Sequence, residues 1–273
     1  MRNPPLTPSE ASGAARPRLP GGAPSGGSGG GPLVAVAHGS RDPRAAATVA
    51  RLMDAVRVLR PDVAVHTSFL DHCPPAPVPV LDGIAAAGGT SAVVLPLLLT
   101  SAYHSKCDIP AVLRAADARL HLRTAGTLGP HPLLTAALER RLAEAGVETG
   151  DPDTVVVLAA AGSSDPAANA TIAGLAREWR ARGWRGVVPA YASATRPSPG
   201  EVVAALRDAG APRVVVASYF LAPGFFADKV RDESLAAGAA AVSPALGDAP
   251  EVAELVVRRY EEALIATEAA TAV

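Results

Sequence analysis

The chain has 273 residues, a formal net charge of −1 at pH 7 and 49% apolar residues, few of them aromatic. Near-neutral charge leaves no electrostatic footprint for nucleic acid or an anionic membrane. The longest apolar runs, 92–99 and 214–222, are too short to span a bilayer. Cys73 and Cys107 form no C-x-x-C pair, and two cysteines in a chain of this length fit a reducing cytoplasm.

Residues 1–31 are Pro, Gly, Ser and Ala with scattered Arg, without a period or an apolar signal core. They predict a disordered tail and no export. After residue 31 short Val/Leu runs predict strands at 33–37, 63–69, 92–98 and 120–124, then at 154–160, 186–191, 213–218 and 240–243. Helical stretches separate them. In 43–60, Ala46, Val49, Leu52, Met53, Val56 and Leu59 recur at i, i+3 and i+4 spacing along one helix face. Asp42-Pro43 predicts the start of that helix, an N-cap followed by Pro at N1, and Asp165-Pro166 repeats it. Apolar strands alternating with helices predict parallel sheets covered on both faces. Two tandem, similar three-layer α/β domains follow, 32–150 and 151–267, with the boundary at the turn cluster Gly150-Asp151-Pro152 and a cleft between them.

The two halves repeat one frame. The first reads LVAVAHGSRDP (33–43), SFLDHCPP (68–75), PLLLTSAYHSKCDIP (96–110) and LGPHP (128–132). The second reads VVVLAAAGSSDP (155–166), AYASATRP (190–197), SYFLAPGFFADKV (218–230) and LGDAP (246–250). Overlaid, His38 meets Ala161, Asp71 meets Ser193, His104 meets Phe226 and His131 meets Ala249. Gly39/Gly162, Asp42/Asp165, Pro43/Pro166 and Gly129/Gly247 persist. One copy keeps reactive side chains and the other is blank.

In open parallel sheets ligands bind beyond the carboxyl ends of the strands. His38 directly follows the first strand, Asp71 ends the second, and His104 and His131 lie in the loops leaving the third and fourth. Thirty-three residues separate His38 from Asp71 and Asp71 from His104, so each βα unit returns to the same edge. The trio His38, Asp71 and His104 is read as a shared metal or acid–base site. His131 has two readings, site residue or cap of helix 132–145. His66 and His121 are read as structural, and His72 as a neighbour of the site rather than a ligand. Cys73 and Cys107 are read as buried thiols rather than ligands.

AHGSRDP, the acidic residue after SFL, PLLLTSAYHSKCDIP and LGPHPLL resemble the sirohydrochlorin chelatase family, strongly over 32–145 and as a degenerate repeat over 153–267. The resemblance implies a class II chelatase-like fold and insertion of a divalent metal into sirohydrochlorin, for siroheme or cobalamin synthesis. Fe²⁺ is favoured, Co²⁺ is next, and Ni²⁺ also suits the donors. His38 and His104 would hold the metal and accept pyrrole protons, with Asp71 as the third metal-site residue. Many members carry Glu there; Asp is one methylene shorter and reaches the metal directly, through water, or by orienting an imidazole. Sirohydrochlorin is rich in carboxylates, so Arg41, Arg44 and Lys106 are expected to bind it, with hydrogen bonds from Ser101 and Tyr103. A solvated surface charge is the other reading of each cation, and Arg196 is read as facing the cleft from the second copy. Phe225 and Phe226, where the first copy has Tyr103 and His104, are either a wall for the macrocycle or core of helix 223–237. The chain lacks a G-x-x-x-x-G-K-[ST] loop, so no ATP and no organic cofactor are expected. No nucleic acid or membrane partner is expected, and the assembly is read as monomer or homodimer. The alternative function is a non-catalytic metal carrier or tetrapyrrole-binding protein using the same histidines.

Overall fold

A computed structural model describes residues 30–100, 110, 114, 116 and 120–271. Strands β1 (Leu33–Ala37), β2 (Val65–Phe69), β3 (Ser91–Pro96) and β4 (His121–Thr124) form one parallel sheet in the order β2-β1-β3-β4. Strands β5 (Thr154–Ala160), β6 (Gly186–Tyr191), β7 (Arg213–Tyr219) and β8 (Ala241–Val242) form a second in the order β6-β5-β7-β8. The duplication read in the sequence is thus a duplication of topology.

Alternation along each strand explains the layers. Leu33, Ala35 and Ala37 of β1 face one apolar cluster with Val49, Leu52 and Met53 of helix α1 (Pro43–Leu59). Val34 and Val36 face a separate cluster with Leu81 and Ile84 of helix α2 (Pro77–Ala86). Leu59, predicted on the buried face of α1, is half exposed in its last turn. Asp42 caps α1, its Oδ1 accepting from the Arg44 N–H at 2.9 Å; Asp165 does the same for Ala167 at 2.9 Å and opens α4 (Pro166–Arg180). On the outer face of the second sheet lie α5 (Pro199–Asp208) and α6 (Phe225–Ala236).

The remaining two helices cross between repeats. Helix α3 (Pro132–Glu144) follows β4 but packs against β7, and α7 (Pro250–Thr271) follows β8 but packs against α1, α3, β3 and β4. One apolar cluster therefore runs unbroken from Leu33 through Leu134, Trp179 and Tyr219 to Tyr260. The sequence turn at 150 separates the repeats along the chain, but the packing is shared across it. Two arginines at matching positions stitch the exchange: Arg141 Nε donates to the Leu246 carbonyl at 3.0 Å, and Arg259 to that of Leu128 at 3.4 Å. The expected tail falls outside the described residues up to 29. Gly31 is anchored, its carbonyl accepting from the Tyr260 hydroxyl at 2.7 Å. No helix among the described residues is long and apolar enough to cross a membrane.

Candidate metal-binding site

The order β2-β1-β3-β4 places a topological switch point between β1 and β3, where a parallel sheet opens a crevice at its carboxyl edge. His38 leaves β1 at that crevice and is exposed. The Asp71 N–H, two residues past β2, donates to the His38 carbonyl at 3.0 Å, so the two loops are tied by backbone. Gly39 makes this approach feasible. Its φ is +92°, and a Cβ there would lie 1.9 Å from the Asp71 carbonyl oxygen.

His72 follows with φ 66°, a left-handed conformation uncommon outside Gly and, less often, Asn, Asp and His. Its N–H donates to Asp71 Oδ1 at 2.7 Å, and its Nε2 lies 3.4 Å from Asp71 Oδ2. The His38 and His72 rings meet edge to face with centroids 6.4 Å apart. The second repeat copies this backbone and strips its chemistry. Ser193 N–H donates to the Ala161 carbonyl at 3.0 Å, Gly162 has φ 83°, and Ala194 has φ 61° where the first repeat has His72. Reading the sequence position by position would have shown His72 meeting Ala194 as a further loss. Proximity to Asp71 in sequence hid it.

The other expected residues divide as follows. His104, Ser101, Tyr103, Lys106 and Cys107 lie outside the described residues. Among the described residues, no three His, Cys, Asp or Glu side chains close on one point as they stand. His131 is the N-cap of α3, its Nδ1 accepting from the Leu133 N–H at 3.1 Å. Burial, then Arg259 and Arg258, hold its pKa below the usual histidine value. His66 is half-buried in β2, and burial lowers its pKa too. The Cys73 thiol is free and packs on the core.

Arg41 is exposed beside His38. Arg44 is committed elsewhere: its guanidinium bridges Asp42 in its own repeat and Asp228 of α6 in the other. Arg44 holds both carboxylates below the usual range. Arg196 pairs with Glu201 of its own repeat. A cavity of about 440 Å³ beside this seam is lined by Arg44, Arg51, Arg141 and Arg231 with Asp228 and Asp248. The two aspartates pair with those four arginines, so the lining keeps an excess of positive charge, and His38 is not part of it.

The second repeat closes on this edge. The Tyr219 hydroxyl donates to the Leu99 carbonyl at 3.0 Å, and a Cβ on Gly224 would sit 3.9 Å from Ser40 Oγ. Next to Gly224, Phe225 is 76% and Phe226 40% exposed, with ring centroids 5.5 Å apart. Neither is core, so the buried-helix reading of this pair is set aside.

The CbiX family model matches twice, over residues 32–145 and 155–263. The chain belongs to the CbiX family. Its two matches coincide with the two sheets. A sirohydrochlorin cobaltochelatase of Priestia megaterium is 30% identical over 73% of this chain and 67% of its own length. A sirohydrochlorin ferrochelatase of Bacillus subtilis is 26% identical over 74% of this chain and 78% of its own length. Among solved structures, SirB from Bacillus subtilis with Fe³⁺ superposes with a TM-score of 0.76 at 25% identity, covering 87% of this chain and 96% of that one.

Proposed function

We infer that this chain is a sirohydrochlorin chelatase, a lyase-type enzyme that inserts a divalent metal into sirohydrochlorin without ATP. The observation that carries the reading is the pair of CbiX matches in which only the first repeat keeps His38 and Asp71, tied together at the switch-point edge. Insertion requires removal of two pyrrole N–H protons and of water from the metal. Imidazoles serve both steps: they bind borderline ions such as Fe²⁺, Co²⁺ and Ni²⁺, and they accept protons near neutral pH. A few protein donors leave positions open for pyrrole nitrogens, unlike a closed four-ligand structural site.

We assign His38 and His104 to metal capture and proton acceptance. Arg41 and Lys106, with Ser101 and Tyr103, bind the carboxylates of the macrocycle. The Arg44 guanidinium joins the repeats and reaches substrate only by leaving an aspartate. A reducing cytoplasm suits the free Cys73 thiol and an oxidisable metal substrate. Relatives named for cobalt and for iron both match, so the metal is a question for assay.

The test is anaerobic mixing of protein and sirohydrochlorin with Fe²⁺, Co²⁺ and Ni²⁺ side by side, followed by absorbance. Many turnovers above the spontaneous rate are expected with Fe²⁺ or Co²⁺. His38→Ala and His104→Ala should each slow insertion at least about a hundredfold. Stoichiometric metal binding without turnover would make the protein a carrier instead.

A further inference from the structure

We infer that His72 is a metal-binding side chain of this chelatase and that Asp71 acts through it, as a positioning residue rather than a direct ligand. The inference rests on the metal-site reading above. It is carried by three observations that do not depend on the family, whose resemblance assigns nothing to His72.

The first is the pairing itself. His72 Nε2 lies 3.4 Å from Asp71 Oδ2. A metal-binding imidazole commonly directs its second nitrogen at a carboxylate, which fixes the ring and raises its basicity. The contact is a close approach rather than a formed hydrogen bond; when it tightens onto Nε2, Nδ1 is the nitrogen left for a metal. This resolves the short reach of Asp71: the aspartate orients an imidazole that extends further than its own carboxylate.

The second is the distance to His38. Imidazole nitrogens sit about 2.0–2.1 Å from a bound divalent ion, which puts two ring centroids on one ion roughly 4.5 Å apart at a right angle and about 5.2 Å apart at a tetrahedral angle. The observed 6.4 Å is longer than this, so the two rings must approach by about 1 Å to share an ion. The described donors do not yet close on one point, so rotation of the exposed side chains must complete the pair.

The third is the blank repeat. Ala194 adopts φ 61° in the same turn that His72 occupies with φ 66°. The same backbone contacts surround both: Cys73 N–H to the Asp71 carbonyl at 2.8 Å, and Thr195 N–H to that of Ser193 at 2.7 Å. Alanine makes the turn unaided, so the imidazole is not what shapes it. It is lost together with His38 and Asp71 from the repeat that lost the site.

The experiment is anaerobic Co²⁺ titration of the full chain without tetrapyrrole, read by the visible bands of bound Co²⁺, for wild type, His72→Ala, Asp71→Asn and the double variant. His72→Ala should weaken Co²⁺ binding at least about tenfold and change the band intensities, with thermal stability unchanged. Asp71→Asn should cost about tenfold in wild type and little in the His72→Ala background, because its effect passes through the imidazole. His72→Asn, whose side chain tolerates the left-handed turn, guards against a folding artefact. Wild-type Co²⁺ affinity in both His72 variants would overturn the inference. So would an equal Asp71→Asn loss in both backgrounds, which would make Asp71 the ligand. Wild-type protein tested in parallel for insertion keeps the readings apart: Co²⁺ binding without insertion would sink the chelatase function and leave His72 standing.

Discussion

The hydroxyl of Tyr219, the last residue of β7, donates to the Leu99 carbonyl just past β3, 3.0 Å away, and so pins the carboxyl edge of one sheet to that of the other. The ring is buried, which pushes its pKa up and keeps the hydroxyl a donor. Tyr219→Phe leaves the Leu99 carbonyl without this donor. The expected cost is about 1–3 kcal/mol in chemical denaturation, with the geometry of the cleft loosened. An unchanged midpoint would show that the contact is dispensable.

Acid should weaken the same seam through Arg44. Asp42 and Asp228 are both held below the usual carboxylate value by that guanidinium. A depressed folded value means the stabilisation is present above the unfolded pKa, about 3.9, and is lost as pH falls through the lower folded value. The melting temperature of Asp228→Asn should therefore fall less steeply below pH 4 than that of wild type. Salt should shrink the difference, since the pair is partly exposed.

His131 caps α3 only while its Nδ1 is unprotonated. Burial and the nearby arginines lower its folded pKa, so the cap contributes fully above the unfolded value, about 6.5, and less as pH falls below it. His131→Asn keeps an accepting oxygen and should flatten the loss of stability between pH 7 and 5. His131→Ala should cost about 1 kcal/mol at pH 8. Equal pH slopes in wild type and the Asn variant would remove the cap from the account.

Phe225 and Phe226 occupy the first turn of α6, where side chains tilt back toward the helix N-terminus and hence toward the shared edge. An exposed ring pair there suits a flat macrocycle at low entropic cost. Phe226→Ala should weaken sirohydrochlorin binding by about three- to tenfold, the range for one aromatic contact, with little change in melting temperature. Lost stability with unchanged affinity would make Phe226 a packing residue.

Strand number, helix starts, the duplication and the edge that carries His38 and Asp71 were all legible along the chain, because each depends on local chemistry. Period-2 and period-3.6 patterns, Asp-Pro caps and the 33-residue return of each βα unit are properties of short segments. What the sequence could not decide was which sheet each terminal helix covers. The apolar faces of α3 and α7 fit either repeat by pattern, and only the shared cluster from Leu33 to Tyr260 selects the exchange. Nor could spacing assign Arg44, whose second partner is 184 residues away, or show that His72 faces His38. That contact arises because Gly39 lets two strand-end loops approach closer than any side-chain-bearing residue would permit. Local chemistry set the elements and the candidate residues, while long-range packing decided which of them meet.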